Sequence, residues 1–384
     1  MVGCARIPPQ VLWRPARFLC RLFQRPAQLV RHGRPSPPPA PQRLKKILIQ
    51  APNWLGDSVM ALPLIEHVRA VCPAAAISVA SPPSVAGLWE VVADVEEVMR
   101  FDRFSDDLSL LEVYRFVRLL RGRAFDASII LAGGFEFALL HAWARIGIRI
   151  GYDSDHRRLL LTHPVSVPDA PRVRHLTESY LDLGRVLGPA AVKHPHLLVR
   201  KRSSAPDRLR VVFHPWATYG PAKRWSPQRF AELGARIADN YGAEIVLVGT
   251  ADGRTTAAEI NRLMHDRAVD LTGQTAIEDL CALMREAALV VSCDSGPAHL
   301  ADALDVPLVV LFGSSSPTWT GPRGRQSQTI YHALDCSPCF ARTCRHGTYA
   351  CFEDISSDEV FERIKRIMGP ASSSSAAAVR PRLA

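Results

Sequence analysis

The stretch that decides the fold is Val290-Val-Ser-Cys-Asp294-Ser295-Gly296-Pro-Ala-His299-Leu-Ala-Asp-Ala-Leu304, followed by Val306-Pro-Leu-Val-Val-Leu-Phe-Gly313-Ser-Ser-Ser-Pro317. Leu289–Ser292 is a short apolar run, as in a strand buried on both faces. Asp294-Ser295-Gly296-Pro297 reads as a helix start. Asp and Ser are capping residues, Gly admits a close backbone approach, and Pro suits the first turn. After that single helix, Leu308–Phe312 is a second strand, which makes a βαβ unit ending in a Gly/Ser turn. A helix start offers unpaired N–H groups and a partial positive charge, a good seat for a phosphate. An ordinary cap in an ordinary βαβ unit is the competing reading.

The same alternation extends in both directions. Towards the N-terminus, Lys45–Gln50 reads as a strand that turns into a helix through Asn53-Trp-Leu-Gly56-Asp57-Ser58. Strands are expected at Ala76–Ala80, Val95–Met99, Ala127–Leu131 and Arg149–Tyr152, and helices at Leu108–Leu120, Phe135–Ala144 and His175–Leu187. The polar run 201–207 breaks the pattern, which then restarts. Strands follow at Leu209–Phe213, Glu244–Val248 and Ala268–Leu271, and helices at Ser226–Tyr241, Thr255–Met264, Ile277–Ala287 and Ser356–Met368. The expected class is therefore α/β: two Rossmann-like doubly wound domains, residues 45–200 and 207–368, facing across a cleft at their strand C-termini. Residues 1–44 hold nine prolines and are expected to be a disordered basic arm, and residues 369–384 a frayed tail.

Length and charge narrow the function. At 384 residues the chain accommodates two ordinary domains. No apolar run reaches the roughly 20 residues of a membrane-spanning helix. The net charge of +10 lies entirely in residues 1–46, and the rest carries 37 basic and 37 acidic side chains. The body is thus no polyanion-binding surface, and no nucleic-acid partner is expected. The arm interleaves Trp13, Phe18, Leu19, Leu22 and Phe23 with arginines. It reads either as a segment resting on an anionic membrane surface or as a dispensable extension. No secretory pattern opens the chain, so the expected compartment is cytoplasmic and reducing.

Three turns at strand ends carry chemistry. In the first, Asp57 reads either as a base for a hydroxyl proton or as a helix cap. The second, His214-Pro-Trp-Ala-Thr218-Tyr219-Gly220-Pro-Ala-Lys223-Arg224-Trp225, suits an anion, with Lys223 as a compact cation. Alternatively Lys223-Arg224 is a solvated loop and Trp225 packs on the next helix. The third is Asp294-Ser295-Gly296, with His299 one turn on as a site residue or a buried helix histidine. Asp153-Ser-Asp155 resembles a metal-binding pair but is read as a loop, and no catalytic metal is expected. Cys336-Ser-Pro-Cys339, Cys344 and Cys351 have the spacing of a four-thiolate structural zinc site. Zinc is preferred to disulfides or free thiols in a reducing compartment.

Gly56-Asp57, Gly220-Pro-Ala-Lys223-Arg-Trp225, Leu271-Thr272-Gly273-Gln274-Thr275 with Asp279-Leu280, Asp294-Ser-Gly-Pro-Ala-His299 and Gly313-Ser-Ser-Ser-Pro317 occur in this order. The set resembles the ADP-heptose:lipopolysaccharide heptosyltransferases, glycosyltransferase family nine, over about residues 45–368. The resemblance implies a GT-B arrangement, with the donor ADP-heptose on the C-terminal domain and the lipopolysaccharide inner-core acceptor on the N-terminal one. It further implies an inverting, metal-independent transfer at the cytoplasmic face of the inner membrane, with peripheral contact there. Asp57 would be the general base and Lys223 would bind the diphosphate. Ser295 and Gly296 would hold the departing pyrophosphate beside His299, and Thr272 and Gly273 would lie near the nucleoside. Thr218 and Asp294 join the nucleotide-sugar set, and Asp252 stands where a ribose or adenine contact is expected. Arg149, Arg157 and Arg158 would meet acceptor phosphates or carboxylates, or else be solvated. A sister transferase, a sugar-nucleotide epimerase on the same scaffold and a non-catalytic binder working through the basic arm are the alternatives.

Overall fold

The computed structural model describes residues 40–101, 109–168, 170, 172–190 and 208–369. Most of the basic arm, the polar run 201–207 and the C-terminal tail lie outside the described residues. The chain divides into two compact units, Met1–Lys193 and His194–Ala384.

In the first unit the elements are β1 (Lys46–Gln50), α1 (Leu55–Met60), α2 (Leu62–Val71), β2 (Ala76–Ser81), α3 (Pro83–Glu90), β3 (Glu97–Arg100), α4 (Leu110–Arg123), β4 (Ala127–Ile130), α5 (Phe135–Trp143), β5 (Ile148–Tyr152), β6 (His163–Val165) and α6 (Leu176–Arg185). The sheet order is β3-β2-β1-β4-β5-β6, with every pairing parallel. Ile47, Leu48 and Ile49 on β1 are fully buried, as expected of a central strand with helices on both faces. Helix α4 begins at a capping box, Ser109 with Glu112, and ends where Ala124 turns left-handed. Its apolar stripe, Val113, Phe116, Val117 and Leu120, closes one face of the core, and Phe116 stacks on Phe101 with ring centroids 4.1 Å apart.

The second unit repeats the plan: β7 (Arg210–His214), α7 (Pro227–Tyr241), β8 (Glu244–Leu247), α8 (Arg254–Leu263), β9 (Val269–Asp270), α9 (Ile277–Arg285), β10 (Leu289–Cys293), α10 (Gly296–Ala303), β11 (Leu308–Phe312), α11 (Pro317–Thr320), β12 (Ser327–Tyr331), α12 (Ala350–Glu353) and α13 (Ser357–Met368). Its order is β12-β11-β10-β7-β8-β9, again all parallel. All residues of β10 and β11 are buried. The expected doubly wound α/β class thus holds for each unit. Two edge strands escape a reading based on apolar runs. Strand β6 carries Pro164, which an edge position tolerates, and β12 opens with Ser-Gln-Thr. Among the described residues no helix is long and apolar enough to cross a membrane.

In both sheets the strand order reverses direction between the first and fourth strands of the unit, β1 and β4 in one and β7 and β10 in the other. The loops leaving the carboxyl ends of such a pair form the crevice where open α/β sheets take ligands. The turns holding Asp57, Lys223 and Asp294 leave β1, β7 and β10 there.

Candidate functional site

Strands β7 and β10 are neighbours, with Ser292 paired to His214. The turns that follow them therefore meet, although Lys223 and Asp294 stand far apart in sequence. Lys223 Nζ donates to Asp294 Oδ2 at 2.5 Å. Asp294 is 2% exposed and works as a hub. Its Oδ2 also accepts from Ser315 Oγ at 2.5 Å, Thr320 Oγ1 donates to Oδ1 at 3.3 Å, and His299 Nε2 lies 3.4 Å from Oδ1. Burial would raise this carboxyl's pKa. The opposing pull of the Lys223 charge, aided by His299, holds it well below the usual carboxylate range. Asp294 is thus held as a carboxylate, and Lys223 has two N–H donors beyond the one it gives to Asp294. Its ammonium stands 5.1 Å from the centre of the Tyr219 ring.

The turn after β10 departs from the sequence expectation in one respect. Ser295 is the N-cap residue of α10, but neither it nor Asp294 caps the helix with its side chain. Ser295 Oγ instead donates to Cys293 O at 3.0 Å and lies 3.0 Å from His214 Nδ1. Asp294 is drawn away by Lys223, Ser315 and Thr320. Pro297 has no N–H, and Ala298 N donates to the main chain, to Ser295 O at 3.1 Å, so the capacity of this helix start for an anion rests on the Gly296 N–H, which no side chain caps. His299 is 7% exposed, so it is a buried helix histidine that also touches the hub.

His214, at the end of β7, was not singled out from the sequence. Burial pushes its pKa down to about 4, so the ring is neutral and sits behind the helix start, against Ser292 and Ser295. A histidine ending a buried strand beside a serine-bearing turn is the signal, but the partner lies 81 residues away. Nearby, Thr272 is 3% exposed and its hydroxyl has no hydrogen-bond partner. Gly273 has φ +71°, and a Cβ there would lie 3.0 Å from Ala251 Cα and from Arg254 Nε, so the turn requires glycine. Thr218 and Asp252 are exposed. Trp225 is core: its Nε1 donates to Ile355 O at 3.0 Å, and its ring meets Phe230 edge-on at 4.9 Å. Trp216 and Tyr219 of this loop are half-buried, and the Arg224 guanidinium lies 3.3 Å from the Trp216 ring centre.

In the first unit Asp57 is the third residue of α1, inside the helix rather than at its cap, which is Trp54. It is half-buried and acts electrostatically on Tyr180, whose hydroxyl pKa burial pushes well up with the Asp57 charge adding to the shift. The three arginines are not brought together as an acceptor cluster. Arg157 is 2% exposed and donates to Tyr152 O at 2.6 Å and Ala132 O at 2.7 Å. It ties strand ends together and is neither solvated nor presented to an acceptor. Arg149 donates to Leu160 O at 2.6 Å and Ile146 O at 2.5 Å. Only Arg158 of the three is exposed, paired to Asp153 at 2.8 Å. Asp155 is part of a loop, accepting from Gly134 N at 3.1 Å.

The four clustered cysteines do come together. Cys336, Cys339, Cys344 and Cys351 line one small cavity and carry free thiols. A tetrahedral site needs every sulfur about 2.3 Å from one ion. Among the described residues no group of three or more His, Cys, Asp or Glu is arranged to hold a metal. Cys336 is exposed, while Cys351 is turned towards Gly313, where a Cβ would lie 3.1 Å from its sulfur. The sulfur of Cys344 is turned to the backbone N–H groups of Tyr349 and His346, which lower its pKa.

The profile of glycosyltransferase family 9 (heptosyltransferase) matches residues 113–350, well over half of the chain and including the whole Lys223–Asp294 hub. The chain belongs to this family. It is therefore a glycosyltransferase, and the family resemblance read from the motifs is established. Among its relatives is lipopolysaccharide heptosyltransferase 2 of Salmonella typhimurium, 28% identical over 344 residues, which covers 84% of this chain and 98% of that one. Lipooligosaccharide heptosyltransferase 2 of Haemophilus ducreyi is 27% identical, covering 84% and 99%. In structure the chain resembles the ADP-heptose LPS heptosyltransferase II of E. coli, with a TM-score of 0.73, 27% identity and coverage of 84% and 98%. A family 9 glycosyl transferase from Veillonella parvula, 20% identical with a TM-score of 0.73 and coverage of 84% and 97%, shares the fold.

Proposed function

We propose that this family 9 glycosyltransferase moves a heptose from ADP-L-glycero-D-manno-heptose to the inner-core heptose of lipopolysaccharide, with inversion and without a metal. The observation that carries the reading is the Lys223–Asp294 hub beside the uncapped start of α10. A departing nucleoside diphosphate needs its growing negative charge met, and an ammonium with two spare donors next to the Gly296 N–H at a helix start supplies that. Asp294 holds Lys223 and keeps the hub preorganised. Ser295 and Gly296 receive the pyrophosphate, with His299 at its edge. Thr272, with its unpartnered buried hydroxyl, and Gly273 flank the nucleoside, with Thr218 and Asp252 as further contacts. In the other unit, Asp57 takes the proton from the acceptor hydroxyl as that oxygen attacks the anomeric carbon, and ADP leaves. The heptosyltransferase 2 relatives in lipopolysaccharide and lipooligosaccharide synthesis support the donor and acceptor classes. The basic arm is proposed to keep the enzyme at the cytoplasmic membrane face, where such an acceptor is found.

ADP release coupled to NADH oxidation tests the reading. With ADP-heptose and a monoheptosylated inner-core acceptor, release should require both substrates and persist in EDTA. Asp57→Asn should lower the rate by about 100-fold or more while ADP binding stays within about twofold. Acceptor-independent consumption of donor would indicate an epimerase or hydrolase. Unchanged turnover in the variant would remove Asp57 from the role of base.

A further inference from the structure

The cysteine-bearing segment touches both halves of the hub. On one side, Tyr219 Oη donates to Phe340 O at 2.7 Å, and Ala222 N donates to Arg342 O at 3.0 Å. Gly220, at φ +151°, approaches the same carbonyl so closely that a Cβ there would lie 2.4 Å from it. Lys223 is the last residue of the 3-10 turn that follows, its N–H donating to Gly220 O at 3.1 Å. On the other side, Phe340 N donates to Ser314 O at 2.7 Å, and Ser337 Oγ donates to Gly313 O at 2.7 Å. Those residues precede Ser315, which binds Asp294. Phe340 also meets Trp319 edge-on at 5.6 Å, beside Thr320. The span 337–342 is thus a strap between the loop that carries Lys223 and the loop that holds its carboxylate.

We infer that this strap positions the Lys223–Asp294 pair for the donor diphosphate, and that Tyr219 is the positioning residue through which it acts. The Tyr219 hydroxyl anchors the loop to the strap while its ring faces the ammonium, and the Arg342 guanidinium lies 5.2 Å from the same ring. Two cations on one ring and two carbonyls on one loop leave the Lys223 backbone little freedom. The inference rests on Lys223 as the diphosphate contact, so its test includes that residue.

The experiment measures ADP affinity by calorimetry, and donor and acceptor KM, for wild type, Tyr219→Phe, Tyr219→Leu, Gly220→Ala and Lys223→Ala. Tyr219→Phe keeps the ring and loses one neutral hydrogen bond, so ADP affinity and donor KM should each worsen about three- to tenfold. Acceptor KM and melting temperature should hold. Tyr219→Leu should lose more, and Gly220→Ala, which forces the overlap with Arg342, should match or exceed it. Loss of ADP affinity in Lys223→Ala with none in Tyr219→Phe would overturn the positioning role and leave the diphosphate reading standing. Unaltered affinity in Lys223→Ala would overturn the diphosphate contact and the positioning role with it. An equal rise in acceptor KM with a lowered melting temperature in Tyr219→Phe would mean general loosening and would also overturn it.

Discussion

Single side chains in the second unit set its response to acid. His214 is held neutral with its pKa near 4, below the ordinary value of 6.5. Below pH 6.5 the unfolded chain takes up a proton that the folded chain refuses until about pH 4, so stability falls as pH falls through this window. Between pH 7 and pH 5 the difference amounts to roughly 2 kcal/mol. His141 in the first unit, pushed by burial to about 3, adds a slope of the same sign. Urea unfolding of His214→Asn should therefore show a shallower loss between pH 7 and pH 5 than wild type. Identical slopes would mean that His214 is not buried neutral. The residues of the hub were legible as types: a lysine in a Gly/Pro loop, and an Asp-Ser-Gly before a helix. Their pairing was not, because Lys223 and Asp294 meet only once β7 lies beside β10. The fate of Arg157 was equally hidden, since its partners are main-chain carbonyls, and carbonyls leave no mark in a sequence.

Elements were legible where period and length agreed. The buried strands β1, β7, β10 and β11 announce themselves as apolar runs, and α13 by its Ser356 cap with Glu359 in the first turn, whereas the Ser109 cap places the start of α4 two residues beyond the expected Leu108. The edge strands β6 and β12 did not, because a half-exposed edge needs no apolar run. Helix contacts make a prediction here. Gly184 on α6 lies so close to α2 that a Cβ would come 2.6 Å from Leu64 Cδ1 and 2.8 Å from the His67 ring. Gly184→Ala should gain helix propensity worth about 1 kcal/mol yet lose more to overpacking, typically 1–3 kcal/mol. The expected net result is a lowered unfolding midpoint in urea. A raised midpoint would show that α6 can shift away from α2.

At the scale of the whole molecule, two units are built on one strand order. The second holds the Lys223–Asp294 pair and the start of α10, and in the first Asp57 follows β1. That doubling was legible because the same strand–turn–helix alternation restarts after residue 207. The cysteine cluster was legible as four thiols close in sequence, and all four line one small cavity. The most direct test of heptosyl transfer is mass spectrometry of a defined monoheptosylated inner-core acceptor incubated with ADP-heptose and the full-length protein. The expected result is acceptor heavier by one heptose residue, formed with wild type and nearly absent with Asp57→Asn. Acceptor of unchanged mass after the donor has been consumed by wild type would contradict it.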